Sequence, residues 1–348
     1  MSGAIGRSAG SAAVAVAEPV ADAVVEPVPE PVPEVFSTVG LPDARRVELW
    51  ERHNTAALVR LDVRSNSPLR AREVTVRSPR ATLARVRATS HAIVRSAGAI
   101  ADDPCDAIAV YLMLRGESSF EQQGGVPHTL RPGDAVICAT DRPFSREFAH
   151  GLEELVVKVP CDALDEVFGG RPLHPVVTSF GVGEGDQYAG ALAQLAARAT
   201  RSGQPVPADE RTLLDLVAVL AVGAQAARPA AYRATARMFI EEHLTDPGLG
   251  ADQVAAAIGI SERHLSRVFA ADGTSVPRYV LSRRLELARA LLAADGAGRP
   301  GGGGASVAEI AARCGFVSTT YFSHVFRKQF GRRAGEILRE ARKPPETR

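Results

Sequence analysis

Between Ala251 and Leu338 the apolar positions recur at helical spacing in a phrase that is written twice. The first copy runs Val254-Ala-Ala-Ala-Ile258-Gly259-Ile260-Ser261 and continues through Leu265 to Phe269; the second runs Ile310-Ala-Ala-Arg-Cys314-Gly315-Phe316-Val-Ser318 and continues through Phe322 to Phe326. The glycines are 56 positions apart and the final phenylalanines 57, so one residue is added just after the second turn. Each copy predicts an Ala-rich helix, a glycine turn, a Ser N-cap and a second amphipathic helix, the pattern of a helix-turn-helix whose second helix enters the DNA major groove. Between the copies, Ser275–Ala294 predicts one long helix, with Pro277 in its first turn and Tyr279, Leu281, Leu285, Leu287, Ala288, Leu291 and Leu292 as apolar positions. At 1.5 Å per residue such a helix is roughly 30 Å long, close to one turn of B-DNA, so it can hold two reading heads on one face of a duplex. The run Gly296–Gly304 predicts a flexible tether into Ser306, which caps the next helix.

The rest of the chain has a different texture. Residues 1–35 are rich in Ala, Val, Pro and Glu, and the alternating prolines between Glu26 and Glu34 predict an extended, disordered tail. Leu41–Trp50 opens a short amphipathic helix, with Val47 and Trp50 on one face. Short β-rich segments follow at Ala81–Ala88, Ile108–Arg115, His128–Leu130, Ala135–Ala139 and Leu155–Val159. A Pro-Gly turn, Leu130-Arg-Pro-Gly-Asp134, separates two of them. This spacing predicts a small β-barrel or sandwich over 36–175. Gln187–Thr200 and Asp209–Ala226 predict two helices separated by Gly203 and Pro205, a hairpin over 176–228 that packs on the strands, forms a dimer interface, or does both. A boundary is expected at 227–232, followed by a helix over Arg233–Leu244 that ends at Asp246-Pro247; Asp252 is the expected N-cap of the first motif.

Composition adds one thing to this picture. The 348 residues are 45% hydrophobic and 23% charged, and the net charge of +1 conceals an asymmetry. From Arg233 onward there are 18 basic and 12 acidic residues, a net of +6, whereas the preceding part carries a net of −5. A basic C-terminal part joined to an acidic N-terminal part points to a polyanion as partner of the former only. The four cysteines (Cys105, Cys138, Cys161, Cys314) are scattered without a CxxC pair, which predicts reduced thiols and no metal site. Glu18 interrupts the Ala/Val stretch near the start and no 18-residue apolar run exists, so neither a signal peptide nor a membrane span is expected, and the expected location is the cytoplasm.

Residues 233–340 resemble the DNA-binding domain of the AraC/XylS family of bacterial transcription regulators. The resemblance rests on the doubled motif, on Arg284-Leu-Glu-Leu-Ala288-Arg-Ala-Leu-Leu292, and on the run from Gly315 to Gly331. Two departures stand out. The family usually has Pro soon after the glycine at 331, where this chain has Arg332-Arg333-Ala334, and the glycine tether is longer than usual. Residues 36–173 resemble, more weakly, the cupin-like sensor half of the same family, on Phe36-Ser-Thr, Leu130-Arg-Pro-Gly-Asp134 and Val159-Pro160. The implied architecture is an α+β multidomain chain: a small cupin-like β-barrel with a helical hairpin over 36–228, then an all-α domain with two helix-turn-helix motifs joined by a long helix over 233–340. The implied function is transcription regulation, as an activator controlled through effector sensing. The implied partners are double-stranded DNA, RNA polymerase, a small-molecule effector and a second copy of the chain, with no membrane partner and no cofactor.

Helical geometry sorts the recognition residues. Leu265, Val268, Phe269, Phe322, Val325 and Phe326 are expected in the core, and Ser261 and Ser318 at the caps. Arg263, Ser266 and Arg267 face outward on the first helix; Arg can bond guanine O6 and N7 together. Thr319, Thr320, Ser323 and His324 form the more neutral outward face of the second, while Arg327 and Lys328 are assigned to phosphate. For each outward residue, contact with phosphate or solvent stays open beside contact with a base, and the first motif is expected to supply most of the specificity. In the sensor, Tyr111, Met113 and Arg115 alternate along one strand and so are expected to share a face; with Phe120, His128 and Phe144 they either line an effector pocket or simply pack. A cupin enzyme would hold a metal with clustered His and Glu. Gly116-Glu117 followed by a single His128 does not supply them, so no catalysis and no metal are expected.

Overall fold

A computed structural model describes residues 33–164, 173–181, 185–201, 206–296 and 304–342. Nearly all of the expected N-terminal tail, the Gly203/Pro205 break and most of the glycine tether lie outside the described residues.

Among the described residues the N-terminal half holds twelve strands: β1 (Glu34–Ser37), β2 (Asp62–Arg64), β3 (Ala71–Ser78), β4 (Ala81–Ala88), β5 (His91–Arg95), β6 (Ala107–Gly116), β7 (Ser118–Gln122), β8 (His128–Leu130), β9 (Asp134–Ala139), β10 (Phe144–Phe148), β11 (Leu152–Pro160) and β12 (Val176–Ser179). Two short helices interrupt them, α1 (Arg46–Ala57) and α2 (Ala97–Asp102). The strands form two antiparallel sheets, one of seven in the order β1-β3-β4-β11-β6-β9-β12 and one of five in the order β2-β5-β10-β7-β8. No described strand pairs across the two, so the expected barrel is an open two-layer sandwich. Between the sheets lie Val86, Tyr111, Met113, Val136, Cys138 and Val156 against Ile93, Phe120, Phe144 and Phe148.

The other face of the seven-stranded sheet is also buried. Leu83, Ile108, Val110, Leu112, Ile137, Leu155, Val157 and Val159 pack beneath α3 (Gln187–Ala199) and α4 (Glu210–Val222). Burial on both faces explains why β6 and β9 are nearly continuous apolar runs rather than alternating ones. In α4 every residue from Thr212 to Ala221 is buried, which one solvated face would not allow, so the hairpin's apolar stripe is used within the chain.

α4 ends at Gly223, whose φ of 84° closes the helix. The next helix, α5 (Arg228–Glu242), starts at the Arg228-Pro229 step itself, with proline in the first turn, where no backbone donor is needed. Its first turns place Ala230, Ala231 and Ala234 in the core beneath the sheet, and its later turns place Ala236 and Ile240 in the core of the first helix-turn-helix. The expected boundary is therefore occupied by a helix shared between two cores.

The C-terminal half is all helical: α6 (Ala251–Ala257), α7 (Glu262–Ala270), α8 (Val276–Gly296), α9 (Val307–Arg313), α10 (Thr319–Phe330) and α11 (Ala334–Ala341). The long helix α8 serves both motifs. Val276, Tyr279 and Val280 pack with α6 and α7, and Leu285, Ala288 and Leu292 pack with α9 and α10. The N-cap of α6 is Gly250 rather than Asp252, which lies in the first turn and supplies negative charge there.

A candidate nucleic-acid interface

The two turns are built alike. Gly259 and Gly315 take φ of 70° and 81°, the left-handed conformation that glycine adopts without a Cβ penalty. Behind them, Ile260 N–H donates to Ala255 O and Phe316 N–H to Ala311 O, both at 3.1 Å, closing the helices that precede the turns. Ser261 Oγ then accepts from His264 N–H, and Ser318 Oγ from Tyr321 N–H, each at 3.2 Å, so both recognition helices begin on the expected caps. Leu265 and Phe269 are buried in the first motif and Phe322 and Phe326 in the second, while Val268 and Val325 are half-buried. Fixing those faces leaves Arg263, Ser266 and Arg267 exposed on α7, and Thr319, Thr320, Ser323, His324, Arg327 and Lys328 exposed on α10.

Sequence reasoning passed over two apolar side chains on the same surface. Val317, the extra residue of the second turn, is 89% exposed, and Tyr321, the third residue of α10, is 48% exposed. Their signal was the comparison of the two copies. The counterpart of Tyr321 is His264, which meets Tyr232 edge-to-face, whereas among the described residues no aromatic ring covers Tyr321 in that way.

α8 braces the motifs through two adjacent arginines. Arg283 pairs with Glu241 of α5 at 2.6 Å and with Glu286. Arg284 donates to Leu244 O at 2.9 Å and Asp246 O at 2.5 Å, carbonyls beyond the end of α5, while its guanidinium lies 3.0 Å from where a Cβ on Gly315 would sit. One side chain thus touches the helix that supports the first motif and the turn of the second. Burial lowers the Arg284 pKa, and burial pushes the neighbouring Cys314 thiol up to about 11. After Gly331 (φ 67°) come Arg332-Arg333-Ala334, and α11 starts at Ala334 with Arg333 as its N-cap, whose N–H is accepted by the Glu336 carboxylate at 3.0 Å.

The candidate effector residues separate into two groups. Tyr111, Phe120 and Phe144 meet between the sheets, with ring centroids 6.2 Å apart for both Tyr111–Phe144 and Phe120–Phe144. Arg115 and His128 do not join them. A bulge shifts the β11–β6 register between Glu153 and Glu154, so that Glu154 pairs with Met113 but Glu153 with Arg115. One extra residue on β6 turns Arg115 to the opposite face, where it is exposed and 3.7 Å from Glu153. His128 is exposed on the edge strand β8.

In their place stands a residue that sequence reasoning missed, the fully buried Arg146. It donates to both Glu154 oxygens at 3.0 and 2.7 Å and to Ser118 Oγ at 3.2 Å, and its guanidinium lies 4.3 Å from the Tyr111 ring and 4.7 Å from that of Phe148. Its signal was present: in Phe144-Ser-Arg146-Glu-Phe148 the arginine has the parity of the two apolar residues. Burial pushes the Tyr111 phenol up and the Cys138 thiol up to about 12. Among the described residues no group of three or more His, Cys, Asp or Glu is placed to hold a metal ion, and no helix is long and apolar enough to cross a membrane.

Comparison with known proteins agrees with this division. An AraC-binding-like domain matches residues 50–224 and a helix-turn-helix domain matches residues 254–340. The transcriptional activator NphR of Rhodococcus sp is 28% identical over 270 residues, covering 73% of this chain and 76% of that one. The transcriptional activator RhrA of Rhizobium meliloti is 34% identical over 108 residues, covering 31% of this chain and 32% of that one. The crystal structure of the AraC-like transcriptional activator CuxR aligns at a TM-score of 0.44 and 20% identity, over 72% of this chain and 94% of that one. With its sensor half matched over half the chain and its doubled helix-turn-helix half matched beyond it, the chain belongs to the AraC family of transcription regulators.

Proposed function

We propose that the chain activates transcription by reading DNA mainly through α7 and adjusting that reading through α10. The observation that carries this is the pair Arg263 and Arg267, exposed on one face of a helix whose other face is locked by Leu265 and Phe269. Each can bond the O6 and N7 of a guanine, with Ser266 between them; Thr319, Thr320, Ser323 and His324 make a more neutral second reading face, and Arg327 and Lys328 hold phosphate. Activation is supported by the likeness to two transcriptional activators, NphR and RhrA, and contact with RNA polymerase follows from it. The test is binding of the full chain to its own upstream DNA and to random duplex across a salt series. A salt-dependent preference for the upstream DNA is expected; equal affinity at every salt concentration would refute the reading.

Control comes from a small-molecule effector bound in the sandwich around Tyr111, Phe120, Phe144 and Arg146. The exposed Arg115 and His128 take no part. This reading is supported by a buried charge pair that faces aromatic rings between the sheets, Arg146 with Glu154. The chain acts by binding rather than by catalysis. A homodimer would have to use a surface other than the buried stripe of α4. A metabolite that raises the melting temperature of the wild-type chain but not of a Tyr111→Phe, Phe144→Leu variant places the effector here. Equal stabilisation of both places it elsewhere.

A further inference from the structure

Five charged side chains meet where the sensor's helical hairpin touches the first motif. Asp209 and Asp215 come from the start and middle of α4, inside the matched sensor domain; Arg233 and Arg237 come from α5, between the two matched domains; Asp272 comes from the turn directly after α7, inside the matched helix-turn-helix. Arg237 is 1% exposed, donates to Asp215 Oδ2 at 3.0 Å and also bonds Asp272. Arg233 grips Asp215 from the side, with Nε at 3.0 and 2.9 Å from its two oxygens, and lies 3.8 Å from Asp272. Arg211 of α4 donates to the Asp272 carbonyl.

Two of these acids stand where local chemistry disfavours them. Asp215 is the one charged residue in the buried stretch Thr212–Ala221. Asp272 places negative charge at the C-terminal end of the recognition helix, where the helix dipole is already negative. The second copy carries the neutral Gln329 at the equivalent position, 57 residues on. The acid is thus confined to the motif that meets the sensor. A cleft of about 560 Å³, bordered by Arg80, Leu164, Arg211, Asp215, Arg233 and Asp272, opens at the same junction.

We propose that Arg237 is a positioning residue for DNA reading: it ties the first recognition helix, through Asp272, to Asp215 of the sensor, so the sensor sets how that helix is presented to DNA. The proposal rests on α7 being a DNA-reading helix. A buried guanidinium that loses one carboxylate must follow the other or stand unpaired in a low dielectric, so the contact transmits a shift of α4 rather than absorbing it. Arg237 also holds a donor in reserve, since its Nε has no hydrogen-bond partner and lies 4.0 Å from Asp209. A second pairing is therefore within reach when α4 moves.

The test uses the full chain and a duplex that the wild type has selected from a random pool. Asp215→Asn and Asp272→Asn keep shape and remove charge, and thermal unfolding reports whether each variant stays folded. Each is expected to bind the selected duplex about five- to tenfold more weakly, in the range usual for coupled sites. The lost protection should be confined to the half-site under the first motif, and the double variant should be no weaker than either single one. Unchanged or tighter binding, equal loss at both half-sites, or multiplied losses in the double variant would overturn the coupling while leaving DNA reading intact. A wild type that selects no duplex at all would overturn the reading itself, and the coupling with it.

Discussion

On the proposed reading two kinds of arginine face DNA, and the helix that carries each separates their work. Arg263 and Arg267 lie one turn apart on the exposed face of α7, Arg263 beside the Ser261 cap and Arg267 in the last turn, whereas Arg327 lies with Lys328 in the last turn of α10. An arginine that reads a base contributes about 1–3 kcal/mol at one position, while one that meets phosphate contributes to every sequence equally. Arg267→Ala should therefore relax the preference at one position of the site. Arg327→Ala should weaken all duplexes alike and flatten the dependence of log K on log salt by about one. Binding curves on a panel of single-base variants, repeated at several salt concentrations, separate the two; identical effects of both substitutions on every duplex would mean the faces have been sorted wrongly. The turn glycines differ in the same concrete way. A methyl group on Gly259 meets no atom within 4 Å, so Gly259→Ala incurs the left-handed backbone alone, about 1 kcal/mol. On Gly315 it also meets the Arg284 guanidinium at 3.0–3.1 Å, so Gly315→Ala should cost about 2–3 kcal/mol. Urea midpoints measure both, and a Gly259 variant as unstable as the Gly315 variant would contradict this.

Among the elements, α8 sets the separation of the reading heads, because its first half belongs to one core and its second half to the other. Arg284 stiffens that arrangement by joining the carbonyls beyond α5 to the turn at Gly315. Arg284→Ala should leave binding to a duplex with one half-site nearly unchanged. The advantage of a duplex carrying both half-sites should fall by roughly tenfold, out of the ~10²–10⁴ that linkage can supply. An unchanged two-site advantage would assign the spacing to α8 alone. The helical half of this molecule was largely legible in its sequence, since turn glycine, Ser cap and buried Leu or Phe recur at fixed offsets and each depends on local chemistry. The sensor was less so. β3, β5, β7 and β10 carry polar residues that disguise their alternation, and Arg115 faces outward because of a bulge on its own strand that shows only in the pairing with β11. The start of the shared helix α5, ahead of the expected Arg233, could not be found from periodicity, because Ala230 and Ala231 are small residues whose burial depends on the sheet above them.

Taken whole, the molecule buries charges in the sandwich interior as well as at the junction with the first motif, and the former makes stability depend on pH. His91 is buried in the five-stranded sheet, with Nδ1 2.8 Å from Thr89 O and its ring 4.9 Å from that of Phe148. Burial holds its pKa below the ordinary 6.5; the bond to the Thr89 carbonyl acts in the opposite sense, and the charge of Arg146 lowers it further. In the unfolded chain the same imidazole takes its proton near pH 6.5. Between that value and the lower folded one the unfolded chain binds more protons, so stability falls as the pH drops through about 6.5, by at most ~1.4 kcal/mol per pH unit, and levels off below the folded value. Trp50, the single tryptophan, is buried in the same core and reports this half alone. Urea midpoints followed by its fluorescence from about pH 7.5 down to about pH 5 should decline for the wild-type chain. His91→Gln can still donate to the Thr89 carbonyl but cannot titrate, so its curve should be flatter over the same range. Parallel curves for the two proteins would place the titrating group elsewhere and remove His91 from the account.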